Sequence, residues 1–228
     1  MDYSYTTTFT SPTRRSFFEV VESETIADYD GRTYIRHSVH HPGGSAVVPI
    51  VGDYVFLVKQ YRPAIQRVLL EIPAGRPKPH ETPHETASRE LHEETGLIAR
   101  TLVPLGVIYN SPCFSDVRTH MFLATEVCVP SVPAIIEQGE LPVTVHRIRV
   151  DQLDRVLVRG HISDAKTIVG IQLALEYLKQ ARLGGDRMAS ALRPSDGQLE
   201  AFGVPLTRRR PEEGVVSDPG SLRFGAPD

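Results

Sequence analysis

The chain has 228 residues, 40% of them hydrophobic and 23% charged, which is enough apolar material for one domain-sized core with appendages. Its 25 basic and 28 acidic side chains leave a formal charge of −3, which argues against a nucleic-acid-binding protein or one drawn to anionic membrane. No apolar run reaches the roughly 18–20 residues of a membrane span, the N-terminus lacks the basic-then-apolar order of a secretory signal, and two cysteines make neither a disulfide framework nor a zinc site. A cytoplasmic protein with reduced thiols is expected.

Residues 1–15 are rich in Thr and Ser and read as loose chain. Strands are predicted at 17–21 and 33–39 around Asp30-Gly31, and at 45–51 and 54–59 around Gly52-Asp53, both strong hairpin-turn dipeptides. The spacing then predicts a helix over 83–95, strands at 99–109, 119–129 and 142–150, and a short helix over 151–158. A last helix over 164–182 repeats Ile168, Ile171, Leu175 and Leu178 at helical spacing and starts from Ser163 or Asp164 as cap. From Arg182 onward the chain holds seven Gly and five Pro among few large apolar residues, so a disordered tail is expected. The organisation expected is an N-terminal β segment over 1–43, a body over 44–181 and a tail over 182–228. Mixed strands with few helices argue an α+β fold or an α/β/α sandwich.

The chemistry is concentrated in 75–97, GRPKPHETPHETASRELHEETGL. Thr82 and Glu85 have capping-box spacing, Pro83 suits the first helical position, and Gly96 suits a left-handed stop. On this helix Glu90, Glu93 and Glu94 share a face, because spacings of three and four residues return to one side. Like charges repel there, and the C-terminal half of a helix already disfavours anions. Something cationic is expected against this face, and clustered carboxylates are the ligands that Mg²⁺ or Mn²⁺ prefer. Taken alone, three glutamates more often describe a solvated acidic face.

Gly75, five residues, Glu81, seven residues, then Arg89-Glu90-Leu91-x-Glu93-Glu94-x-Gly96-Leu97 resembles the Nudix box at every fixed position. The resemblance to Nudix hydrolases implies an α/β/α sandwich with a mixed sheet, here preceded by a small N-terminal β-hairpin region. It implies divalent metal, Mg²⁺ with Mn²⁺ as substitute, held by Glu90, Glu94, Glu93 and the backbone of Ala74, with Glu93 a further ligand or a water-orienting carboxylate. Glu81 and Arg89 are implied to be a structural ion pair. Gln60-Tyr61-Arg62-Pro63, Leu70-Glu71-Ile72-Pro73-Ala74-Gly75, Pro112 within 111–116, and Asp164-Ala165-Lys166-Thr167 are similar to ADP-ribose pyrophosphatases, and the resemblance runs from about Val47 to Tyr177. It implies hydrolysis of ADP-ribose to AMP and ribose 5-phosphate, substrate contacts from Arg62, Pro112 and Ser115, and a homodimer through the N-terminal strands. The alternatives are another nucleoside diphosphate sugar such as GDP-mannose, or a non-catalytic ADP-ribose-binding module. Cys113 and Val117 depart from the family pattern, which usually carries Gly and an acidic residue there.

Metal-bound carboxylates are poor bases, so the water-activating carboxylate is expected outside the helix. Gly139 is a possible hinge in 137–140, and Glu140 is favoured over Glu137, with Glu93 the fallback. Arg62 suits bidentate phosphate contact or a structural salt bridge. His80, His84 and His92 read as surface or loop residues, Cys128 as core, and Phe17, Phe18 and Tyr34 as core or as a stack for a base.

Overall fold

The computed structural model describes residues 5–9, 13–15, 17–27, 31–128 and 143–191. Asp30, Glu137, Glu140 and residues 192–228 lie outside that set. Strands β5 (Gly44–Val51), β6 (Tyr54–Arg62), β7 (Arg67–Glu71), β8 (Ala74–Gly75), β9 (Ile98–Tyr109), β10 (Arg118–Cys128) and β11 (Thr144–Arg149) form a seven-stranded sheet, ordered β11-β6-β5-β10-β9. At its centre β10 runs parallel to β5, with Met121 opposite Ala46 and Leu123 opposite Val48. The other pairings are antiparallel. Central strands are covered on both faces, which is why 46–49 and 121–124 are unbroken buried runs rather than alternating ones.

One face carries Ala46, Val48, Met121 and Leu123 against α3 (Ala165–Ala191) and the α2 segment (Leu153–Val158). The other carries Val47, Phe122 and Ala124 against Ala87 and Leu91 of α1 (Pro83–Thr95). Helices on both faces of a mixed sheet make the sandwich. At Gly170 α3 comes so near the sheet that a Cβ would lie 2.8 Å from the Met121 Cε and 2.9 Å from the Ile72 Cδ1. Helix α3 also runs nine residues past its predicted end at Arg182. Among the described residues no helix is long and apolar enough to cross a membrane.

The N-terminal strands form a second sheet. There β3 (Phe18–Ala27) pairs antiparallel with β4 (Thr33–His40), while β1 (Tyr5–Phe9) and β2 (Thr13–Arg15) pair along the other edge of β3. Strands β1 and β2 correct the expectation of loose chain, since Thr and Tyr favour strands whatever their polarity. This sheet is tied to the body where Val39 meets Ser115: Val39 N donates to the Phe114 carbonyl at 2.7 Å, and Ser115 Oγ to the Val39 carbonyl at 2.8 Å.

Candidate active site

Helix α1 is bounded by its own sequence. Thr82 accepts from the Glu85 N–H at 3.2 Å, Glu85 accepts from the Thr82 N–H at 2.8 Å, and Gly96 ends the helix at φ 72° with its N–H on the His92 carbonyl. Burial of Ala87 and Leu91 on β5 and β10 turns Glu90 toward β8, where it is itself buried. A Cβ on Gly75 would overlap the Glu90 carboxylate, so only glycine permits this approach. Glu94 accepts the Ala74 N–H at 2.9 Å. Two glutamates of α1 therefore bracket the two-residue strand β8.

Arg89 organises the rest with all five N–H donors of its guanidinium. Nε and Nη2 bind Glu81 at 2.7 and 2.9 Å, and Nη2 also reaches the Arg76 carbonyl at 2.8 Å. Nη1 is shared by Glu90 and Glu93 at 2.7 Å each. The hydrogen bonds from Arg89 bring the Glu81 carboxyl down to about 2, against the partial burial that opposes its charge. Lys78 takes the other oxygen of Glu93 at 3.3 Å. Arg89 and Lys78 thus supply cationic partners to Glu90 and Glu93.

The opposite wall is a second charge network. Glu71, 1% exposed, is gripped by Arg62 through Nε and Nη2 at 2.7 Å each and also binds Lys166 Nζ. Burial works against the Glu71 charge, but the bonds and charges of Arg62 and Lys166 outweigh it and hold its carboxyl below the ordinary value. Of the two readings of Arg62, the salt bridge is present, and Arg62 still lines the cleft.

Between these walls lies an open cleft of about 720 Å³, within the range of small-molecule sites. Of the residues singled out from sequence, Arg62, Ala74, Arg89, Glu90 and Glu94 line it together. Glu93 sits beside them on Arg89, and Glu81 braces the loop. Pro112 and Ser115 are not part of the lining; Ser115 docks its loop onto β4 instead, while Asn110, Val117 and Thr119 face the cleft. The oxygen donors at Glu90, Glu94 and Ala74 suit a hard divalent ion. Among the described residues no three carboxylate, imidazole or thiol groups converge as a metal cage, and Arg89 draws Glu90 and Glu93 to itself. The donor chemistry fits, with Arg89 holding two of the glutamates beside β8.

Sequence reasoning missed the role of Phe17. Expected more readily in the core, it is 43% exposed and walls the cleft, with the Arg76 guanidinium 3.7 Å above its ring and His41 edge-on at 5.2 Å. Burial and the nearby Arg76 lower the His41 pKa, against the pull of Asp116, and its Nδ1 accepts the Gly43 N–H at 3.0 Å. Cys128 is exposed rather than core. His84 is no plain surface residue, since its ring lies edge-on to Phe122 at 6.1 Å and burial lowers its pKa.

Comparison with known proteins bears on this arrangement. Residues 40–168 match the NUDIX domain. The ADP-ribose pyrophosphatase of Bacillus subtilis is 36% identical over 155 residues, covering 67% of this chain and 83% of the relative. The ADP-ribose pyrophosphatase of Mycobacterium tuberculosis is 32% identical over 171 residues, covering 68% and 81%. A crystal structure of an ADP compounds hydrolase matches with a TM-score of 0.66 at 19% identity, over 78% of this chain and 95% of that one, a likeness of fold.

Proposed function

Because the chain belongs to the NUDIX family, we propose that it hydrolyses the diphosphate bond of a nucleoside diphosphate sugar, with ADP-ribose, cleaved to AMP and ribose 5-phosphate, as the substrate. The observation that carries this is the cleft itself, with Glu90 and Glu94 beside β8 on one wall and Arg62 and Lys166 over Glu71 on the other. Anionic ligands and fixed cations facing across one opening suit a substrate that is a polyanion and needs a metal ion.

Glu90, Glu94, Glu93 and the Ala74 backbone would hold the ion, Mg²⁺ with Mn²⁺ as substitute. When bound, it supplies charge neutralisation at the phosphate oxygens and acidity to coordinated water. Arg62 donates to the diphosphate with the N–H groups that Glu71 leaves, and Phe17 with Arg76 walls the nucleoside end. Glu93 has one oxygen on Arg89 and the other on Lys78, so it anchors the site rather than accepting the proton. The proton of the attacking water goes to Glu140, with Glu137 the competing carboxylate in the same stretch. Val20 and Ile35 are exposed on one side of the N-terminal sheet by its register, which supports a homodimer through these strands.

A panel of nucleoside diphosphate sugars, followed by the release of nucleoside monophosphate, tests the substrate. ADP-ribose should turn over with the highest kcat/KM. A higher value for GDP-mannose would transfer the assignment to that sugar nucleotide.

A further inference from the structure

Lys166 is the second residue of α3 and lines the cleft with Arg62, Ala74, Glu90 and Glu94. Its Nζ donates to Glu71 Oε2 and, at 2.9 Å, to Asp164 Oδ2. An ammonium group has three N–H donors, so one remains for the cleft. The surroundings say which way it serves. Glu71 is already bound at both oxygens by Arg62, so Lys166 adds to its neutralisation with one N–H and is not its only partner. Asp164 has its own structural duty, accepting the Thr167 N–H at 3.0 Å and the Thr167 hydroxyl at 2.5 Å. That hydroxyl in turn accepts the Ile72 N–H at 2.9 Å, which locks the first turn of α3 to the segment between β7 and β8.

The four charges sum to zero, but they are layered. Glu71 is 1% exposed and lies deepest, Lys166 at 13% and Asp164 at 17% come next, and Arg62 reaches 41%; of the four, only the two cations line the cleft. The positive end of the α3 dipole adds to the same side. Donors held this way need no reorganisation when an anion arrives, and partial burial strengthens their attraction for it.

We propose that Lys166 is a direct contact to the diphosphate of the substrate, held in position by Glu71 and Asp164. This rests on the diphosphate reading of the cleft and adds to it a substrate-binding residue from α3, 95 residues away in sequence from the carboxylate that positions it.

The test uses inorganic pyrophosphate with Mg²⁺ as the probe, titrated calorimetrically into the full-length protein and its variants, beside ADP-ribose kinetics and melting curves. A charge-assisted hydrogen bond lost in Lys166→Met should weaken pyrophosphate binding roughly ten-fold or more and raise KM for ADP-ribose to match. Salt should then weaken binding less steeply than in the parent. Lys166→Arg, which keeps the charge, should recover most of the affinity. Pyrophosphate affinity in Lys166→Met within about twofold of a parent that binds and hydrolyses would overturn the role of Lys166 alone. So would a Lys166→Arg protein that regains the melting temperature but not the affinity, since that marks a purely structural lysine. A parent that neither binds pyrophosphate nor hydrolyses any nucleoside diphosphate sugar would overturn the reading of the cleft as well.

Discussion

The carboxylate of Glu90 occupies the space that a side chain on residue 75 would need, so that Gly75 and Glu90 form one close contact between β8 and α1. Gly75→Ala forces either Glu90 out of the cleft or α1 away from β8. The atoms in the way are the far end of one side chain, so the shift should cost little stability, while the displaced carboxylate should lower turnover by orders of magnitude. Melting curves and Mg²⁺-saturated kinetics of the variant check both parts. Parental activity with an unchanged melting temperature would show that Glu90 has no fixed place there.

Glu94 offers a cleaner separation of fold from chemistry. Its carboxylate accepts the Ala74 N–H at 2.9 Å, and an amide oxygen can do the same. Glu94→Gln should therefore keep the melting temperature while losing turnover by orders of magnitude, because a hard cation loses an anionic ligand. Activity within a few-fold of the parent in saturating Mg²⁺ would remove Glu94 from the metal site.

The Arg89–Glu81 pair predicts an acid limb in stability. Glu81 is depressed from 4.5 to about 2 in the fold, so its contribution is complete above 4.5 and is lost as pH falls toward 2. Comparing the parent with Glu81→Gln from about pH 7 downward, the gap in melting temperature should stay constant to near 4.5 and then close. A gap that persists to the lowest pH would mean that the pair is not what protects Glu81.

Helix α1 was legible because its signals are local: Thr82 and Glu85 cap it, Pro83 starts it and Gly96 stops it, all within one segment. The central strands were legible because 46–49 and 121–124 are buried runs. Strand β8 was not, since two residues carry no periodicity and pair only because β5 lies beside them. Cys128 was misplaced because alternation from Phe122 and Ala124 fails at Glu126, whose φ of 52° breaks the strand's two-residue repeat. The Glu71–Lys166 contact joins positions 95 residues apart, and nothing in either local sequence announces the other. The candidate metal ligands could be named only from the spacing of the whole box; the helix face alone favoured a solvated surface.

Phe17 lies just ahead of β3, outside the alternation that would have buried it. If its ring and Arg76 wall the nucleoside end, Phe17→Ala should raise KM for ADP-ribose roughly ten-fold, since stacking on a base is worth about 1–3 kcal/mol. The kcat and the melting temperature should change little, because the ring is exposed. An unchanged KM would assign the nucleoside to another wall.

The most direct measurement is product formation from ADP-ribose by the purified protein with Mg²⁺. AMP and ribose 5-phosphate should appear in equal amounts over many turnovers, stop when EDTA is added and resume when Mg²⁺ is restored. Tight ADP-ribose binding with no AMP released, in the presence of saturating Mg²⁺, would contradict the account and leave the cleft as a binding site without hydrolysis.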